Sequence, residues 1–491
     1  MRSSHFPARS VLFRKEPNGV TYRVPALIYL SSSKRLLAFC EERLSPADSQ
    51  AHLLVMRKGI FHRNYVEWED MHVLASALLP GHRSMNPCPV YDEFTGTLFL
   101  FFIAVLGHTS ESYQLVTGKN VTRLCYICST DAGDTWSPVT DLTQKVIGDT
   151  IKVWATFALG PGHGIQLKSG RLIIPAYTYH IECKECFGQL CQTAPHAFCF
   201  HSDTHGRIWR FGEVVPGPES VECQMASVDE EDGSNVLYCN ARSPLGYRVQ
   251  ALSLDDGAVF QEGQLVHRLV EPRNGCHGSI IGFPAPLNLY HRLKSPVQEP
   301  LHYHKHCTSY VANSHHSILT SNCSTTPPSS LAPHHNASPE FLTPTWVVYS
   351  HPTSSTARKD MGVFLSLFPR DPHSWHGPWV IYEGPSAYSD LAYLELPPSP
   401  GEPPAVAFAC LFECGTKTAY DEISFSIFTL YELINNIPQN LHLGYEEGDR
   451  CETQQDNVSE ACWAQRCETQ KDICVRKRRK RSNLMTMCSL C

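Results

Sequence analysis

Residues 129–136 read STDAGDTW, and the frame inside them, Ser129-x-Asp131-x-Gly133-x-x-Trp136, returns twice along the chain. It recurs as Ser253-x-Asp255-x-Gly257-x-x-Phe260, and between the two as Ser202-x-Thr204-x-Gly206-x-x-Trp209, with Thr204 in the place of the aspartate. The successive serines lie 73 and 51 residues apart, roughly one four-stranded β unit with its loops. Serine and aspartate at these offsets hydrogen-bond neighbouring backbone groups, and glycine accepts a positive φ. One or two acids supply too few oxygens for a calcium loop. Each copy is therefore expected to close a β-hairpin with its aromatic tucked into the sheet beneath. The turn recurs because the sheet unit recurs.

The flanking sequence agrees. From about residue 10 to 290, short apolar or alternating runs such as TYRVPALIYL, RLLAFCEER, GTLFLFFIAV, RLIIPAYTY and RVQALSL are separated by Gly, Asp, Asn and Pro. That pattern predicts an all-β sandwich, barrel or propeller. Residues 292–343 are rich in His, Ser, Thr and Pro and read as a flexible insertion; their irregular histidines match no zinc template. β patterning resumes at TWVVYSHPTS and ends near EISFSIFTLYELI, so one domain is expected over 1–436 and a polar, Cys-containing tail over 437–491.

With 491 residues, 42% hydrophobic and 18% charged, the chain has a globular composition. Its formal charge of -7 argues against a body that binds nucleic acid. The N-terminus lacks the apolar core of a secretory signal. The longest apolar run, Thr97–Leu106, falls far short of the ~20 residues of a membrane helix and reads as a buried strand. The 21 cysteines are then expected as reduced thiols, with the acceptor frames at Asn120, Asn322, Asn336 and Asn457 unmodified. Cys125-x-x-Cys128 lies on a predicted strand whose i and i+3 positions face opposite ways, against a zinc knuckle. Cys183-x-x-Cys186 with Cys191 is a loop cluster lacking an evident fourth ligand.

The tail carries two competing signals. Cys488-Ser489-Leu490-Cys491 fits a C-a-a-X frame, with the basic run Arg476–Arg481 upstream. Lipidation at Cys488 or Cys491 plus basic residues would give peripheral membrane contact. The same basic run fits a nuclear address, and an unmodified tail is the third reading.

The repeated turn resembles the Asp box of sialidases, which fold as six-bladed β-propellers. TYRVPAL resembles the F/Y-R-I-P element of that family, with Val24 a mild departure from isoleucine. EERLSPADSQAH, HRSMNPCPV, FIAVLGHT, ECFGQLCQT, LYCNARSPLG, WVIYEGPSAYSDL and YDEISF are similar to vertebrate exo-α-sialidases (neuraminidases). The resemblance spans about 10–290 and 344–436. It implies a retaining exo-α-sialidase that hydrolyses terminal sialic acids of gangliosides, glycoproteins and oligosaccharides through a tyrosyl-enzyme intermediate. The alternative is a propeller that binds sialylated glycans without cleaving them, since fold alone does not fix function.

Site residues follow from the resemblance and from the substrate's chemistry. A sialic acid carries a carboxylate on its anomeric carbon, which guanidinium forks suit. Arg23, Arg242 and Arg358 match the family's carboxylate-binding triad. The same negative charge would repel a carboxylate nucleophile, and sialidases use tyrosine instead. Tyr388 matches that tyrosine, Glu222 the glutamate that takes its proton, and Asp48 the acid/base. Glu413 matches the carboxylate that pairs with and orients Arg23. Arg43, Asn86, Tyr177 and Tyr179 match pocket residues, and Glu111 is placed on a mobile loop near them. This chemistry calls for no metal and no other cofactor. Sialylated glycolipids and glycoproteins are the implied partners, and nucleic acid is not one. The resemblance implies an intracellular protein at internal membranes (endoplasmic reticulum, lysosome or mitochondrion), against which the basic run sets the nucleus.

Overall fold

Short alternating segments fold as antiparallel strands throughout the computed structural model, which describes residues 6–62, 65–186, 190–286, 289, 343–396 and 405–438. Two compact units divide the chain, Met1–His442 and Leu443–Cys491, and every described residue belongs to the first. The expected insertion, save Thr343, lies outside the described residues. So do the tail from 439 onward, with Arg476–Arg481, Cys488 and Cys491, and the acceptor frames at Asn322, Asn336 and Asn457.

The strands form an all-β, propeller-like succession of sheets. The first runs through Thr21–Leu30, Arg35–Arg43, Ala51–Phe61 and Val66–Trp68. The second takes His82–Asp92, Thr97–Leu106, Thr122–Ser129 and Thr140–Asp141. The third takes Trp154–Leu159, Leu172–Cys186, Leu190–Ser202 and Arg210–Phe211, and the fourth Cys223–Asp229, Asn235–Ala241, Tyr247–Ser253 and Gln264–Val270. The last, of seven strands, begins at Ser279–Pro284 and ends by pairing Glu422–Thr429 with the N-terminal strand Arg9–Arg14. Its middle strand, Trp375–Leu396, changes partner part-way. Up to Pro385 it pairs with Lys359–Ser366, and from Ser386 onward with Ala405–Cys414.

The core lies between neighbouring sheets. Leu37 and Leu54 of the first pack on Leu98 and Phe102 of the second, whose Phe99 and Phe101 pack on Phe198 and Phe200 of the third. Cys199 meets Leu237, Tyr238 meets Tyr349, and Trp379 meets Phe408. Leu411 and Phe425 close the circuit against Leu27 and Leu36. The apolar run Thr97–Leu106 is a strand of the second sheet, buried from Leu98 to Val105. A final helix, Leu430–Asn436, starts from a Thr429–Glu432 capping box, and buried Ile437 carries the core one residue past its expected end.

The repeated turns bind these sheets together. In the opening copy Ser129 Oγ donates to Asp131 Oδ1 at 2.7 Å and accepts from Gly133 N at 2.9 Å, while Asp131 Oδ1 accepts from Thr135 N at 2.9 Å. The copy at 253 repeats each bond, with Val259 N on Asp255. In the middle copy the Thr204 hydroxyl replaces the carboxylate and accepts from Ile208 N at 2.8 Å. Each glycine has positive φ and abuts the preceding sheet; a Cβ on Gly206 would sit 2.2 Å from the Phe99 ring. Trp209 stacks edge-on to Phe101 at 4.6 Å.

Candidate active site

Three strand irregularities set the site's side chains. Register breaks between Arg23 and Ala26, between Met85 and Cys88, and between Ser386 and Ser389. The bulges re-aim Arg23, Asn86 and Tyr388. Val24 and Asn86 stand in the left-handed region at φ 59° and 55°, which for a β-branched residue costs roughly 1–3 kcal/mol. Buried carboxylates offset that cost. Val24 N donates to Glu413 Oε1 at 2.8 Å, Tyr388 N to Glu413 Oε2 at 3.1 Å, and Asn86 N to Glu41 Oε1 at 2.7 Å. The same two acids hold arginines, with Arg23 Nε 2.7 Å from Glu413 and Arg43 Nε 2.7 Å from Glu41. One carboxylate thus fixes a backbone bulge and a guanidinium together.

Tyr388 stands where the three arginines meet. Its phenol donates to Glu222 Oε1 and accepts from Arg242 Nη1 at 3.2 Å, while Arg242 Nη1 also lies 2.7 Å from Glu222 Oε2. The Arg23 and Arg358 guanidiniums lie 5.6 and 5.3 Å from the centre of its ring. Burial, and next the negative charge of Glu222, push the phenol well above its ordinary pKa against the pull of Arg242 and Arg358. Glu222 goes the other way. Burial works to raise its carboxyl, but Arg242, His277 and the Tyr388 hydroxyl prevail and hold it below the ordinary value. The pair is a neutral phenol facing an ionised carboxylate, so the proton has an acceptor in place.

Asp48 opens a short 3-10 turn, Asp48–Gln50, and pairs with Arg43. Its side chain is 68% exposed, whereas Arg43 beneath it is 2% exposed. Burial of the surroundings raises the Asp48 carboxyl, but Arg43, Arg23 and Arg358 together hold it below the usual value. Asp48, Tyr388, Glu222, Arg43, Asn86 and Tyr177 line one open cleft, with an apolar wall of Met85, Ile103 and Val105. A second, adjoining cleft is lined by Arg242, Tyr179 and Asn274, and shares Glu111, Tyr177 and Glu222 with the first. Tyr177 and Tyr179 lie on one strand face with ring centres 6.2 Å apart, and both reach this site. Glu111 is not on a loop. It is the first residue of the helix Glu111–Thr117, capped by Ser110, because Ser110 Oγ captures Tyr113 N at 3.1 Å. Glu111 is exposed at the rim of these clefts, yet crowding by the neighbouring wall, then Glu222 and Asp48, push its carboxyl up to about 7.

A family model described as a BNR repeat-like domain matches residues 34–285. Sialidase-4 of Mus musculus is 48% identical over 475 residues, which cover 90% of this chain and 97% of that relative. Sialidase-3 of Homo sapiens is 44% identical over 432 residues, covering 87% and 94%. The chain belongs to the sialidase family. It is a glycoside hydrolase of the exo-α-sialidase class. Among solved structures, the Hadza microbial sialidase Hz136 superposes with a TM-score of 0.59 at 20% identity, over 85% of this chain and 67% of its own, a likeness of fold.

The site of this sialidase holds residues that sequence reasoning missed. Glu41 supports Arg43 and Asn86; its only signal was its place two residues before Arg43, on the same strand face. Arg83 forks onto Gly107 O and Thr109 O at 2.8 and 2.7 Å, fixing the turn that delivers Glu111. Tyr420 lies under the Arg23 guanidinium, 3.8 Å from its ring centre. His277, fully buried, packs its ring 5.3 Å from that of Tyr388. Apart from the Glu41–Arg43 pair, these contacts join distant segments and leave no local pattern.

Proposed function

We propose that this sialidase hydrolyses terminal sialic acids with retention of configuration, using Tyr388 as nucleophile, Glu222 as its base and Asp48 as acid and then base. The observation that carries the reading is the Tyr388 phenol donating to ionised Glu222 while Arg242 donates to the phenol oxygen. Arg23, Arg242 and Arg358 bind the substrate carboxylate. Arg43, Asn86, Glu111, Tyr177 and Tyr179 line the pocket around the rest of the sugar. In the first step the Tyr388 oxygen bonds to the anomeric carbon and its proton passes to Glu222. The glycosidic bond breaks, and the leaving oxygen takes the Asp48 proton. In the second step Asp48 takes a proton from water, which attacks the same carbon. The tyrosyl bond breaks and Glu222 returns the proton to the phenol oxygen. Two displacements give retention.

The finer architecture belongs to the same proposal. Counting the seven-stranded sheet as two blades that share Trp375–Leu396 supports a six-bladed propeller over 1–436, and the three repeated turns are its Asp boxes. Gangliosides, glycoproteins and sialylated oligosaccharides are the proposed substrates, met at internal membranes. Intact mass of the C-terminal peptide from an animal cell tests lipidation at Cys488 or Cys491. The competing idea of a non-cleaving sugar reader would need the arginines but not the Tyr388–Glu222 pair. Release of methylumbelliferone from its sialoside, across acid to neutral pH, decides between them. Turnover that collapses in Tyr388→Phe supports the proposal; sialoside binding by a folded wild type without turnover at any pH defeats it.

A further inference from the structure

Apart from His277 and the cleft-wall residue Asn274, the segment Glu271–His277 has no role in the reading above, yet it touches two of the three arginines and the tyrosine. Asn274 and Gly275 are consecutive left-handed residues, at φ 66° and 71°. That geometry turns both carbonyls toward the site. Asn274 O accepts from Arg242 Nη2 at 2.6 Å and from Nε at 3.1 Å, and Gly275 O accepts from Arg358 Nη2 at 3.0 Å. The next residue but one, His277, packs on the Tyr388 ring. The glycine is required as well as permitted: a Cβ there would lie 2.8 Å from Arg242 Cγ and 2.9 Å from its Nε.

A buried ionic cluster holds this turn from below. Glu271, Arg248 and His351 are each at most 2% exposed. Glu271 accepts from Arg248 Nη1 at 2.9 Å and Cys276 N at 2.9 Å, and His351 Nε2 lies 3.1 Å from its second oxygen. Arg248 Nη1 also donates to Cys276 O at 2.8 Å, and its Nε to Asn240 Oδ1 at 2.7 Å. Both backbone groups of Cys276 are thereby fixed, directly after the Asn274–Gly275 turn whose carbonyls hold the arginines. A buried charged cluster adds little net stability over an apolar one of the same volume, but it fixes geometry tightly.

We infer that Glu271 is a positioning residue: with Arg248 and His351 it clamps the Asn274–Gly275 turn, whose carbonyls set Arg242 and Arg358 at the spacing that grips the substrate carboxylate. The inference rests on the carboxylate-binding role proposed for those arginines. Two ligands separate positioning from general support, an inert thiosialoside and its uncharged carboxamide. In Gly275→Ala the acid binds roughly ten- to a hundred-fold more weakly, the scale of a lost or misaimed charged hydrogen bond. The carboxamide loses far less, and most of the Gly275→Ala effect disappears in an Arg242→Ala background. Glu271→Gln shows the same selective loss. Asn274→Val, an exposed change that only disfavours the left-handed turn, carries the comparison if Gly275→Ala or Glu271→Gln does not fold. Equal weakening of both ligands, or unchanged acid binding in the folded turn variants while Arg242→Ala weakens it, overturns the inference alone. Unchanged acid binding in Arg242→Ala overturns the carboxylate reading beneath it too.

Discussion

The Tyr388 hydroxyl donates to Glu222 across 166 residues of chain, and it does so at the point where strand Trp375–Leu396 changes partner. Partner exchange and bulge let one strand deliver a tyrosine into a cavity built by other sheets. Glu413, from the adjoining strand, holds the Tyr388 backbone and the Arg23 side chain at once, so the proposed nucleophile and the proposed carboxylate site share one support.

The pair can be dissected by substitution. Tyr388→Phe is expected to abolish steady-state turnover while an inert thiosialoside still binds. Glu222→Gln keeps the shape but removes the proton acceptor, and kcat should fall about 10²- to 10⁴-fold. Steady-state kinetics beside calorimetric binding would show this; parallel loss of binding in both variants would point to a disturbed pocket instead.

The pH dependence has a definite sign. Arg43, Arg23 and Arg358 hold Asp48 below its usual value, so it is protonated only under acidic conditions. A first step that needs the protonated form gains rate as pH falls, until Glu222, also held low, takes up a proton. An acidic optimum of kcat/KM is expected. Asp48→Asn should remove the higher-pH limb and impair sugar leaving groups more than methylumbelliferone, whose departure needs less protonation.

Glu111 gives a separate signature near neutrality. With its carboxyl at about 7, raising the pH through that value adds a negative charge to a pocket meant for an anion. Affinity for the inert thiosialoside should weaken above it. Glu111→Gln should flatten that dependence without moving the acidic limb. Binding isotherms at pH values on either side of neutrality would test it.

Glu413→Ala leaves Arg23 buried without its carboxylate and frees two backbone N–H groups. Loss of one member of such a pair costs about 3–5 kcal/mol, so a marked fall in the thermal midpoint should accompany loss of turnover. A variant with unaltered melting would contradict the central support assigned to this residue.

Gly206→Ala places a methyl group against the Phe99 ring at φ 78°. It should destabilise the fold by roughly 1–3 kcal/mol while kcat of the folded fraction stays near wild type, since the turn is remote from the cavity residues. Urea titration and active-site titration together would separate the two effects.

Much of this was legible in the chain. The turn frames at 129, 202 and 253 are local, because serine, aspartate and glycine act within five residues of backbone, and their reading as hairpin closures needs no distant partner. The proposed catalytic trio and the arginines were legible only through resemblance, since Asp48 lies in a 3-10 turn, Glu222 just before strand Cys223–Asp229 and Tyr388 on strand Trp375–Leu396, and no spacing links them. Glu111 was misplaced on a loop, for a serine cap and about two helical turns leave too short a pattern to detect.

By itself the sequence determined the strands, their turns and the residue types a sialic acid demands, all of which follow from short-range hydrogen bonding and side-chain chemistry. The tertiary structure alone decided which groups share a carboxylate and which charges face one another. It set the left-handed backbone at Val24, the ionised state of Glu222 beside Arg242, and the turn at Asn274 and Gly275 that braces two arginines. The physical reason is electrostatic. A charge is set by neighbours within a few ångströms, and those neighbours come from segments as little as 20 and as much as 390 residues apart, brought together only when the sheets pack.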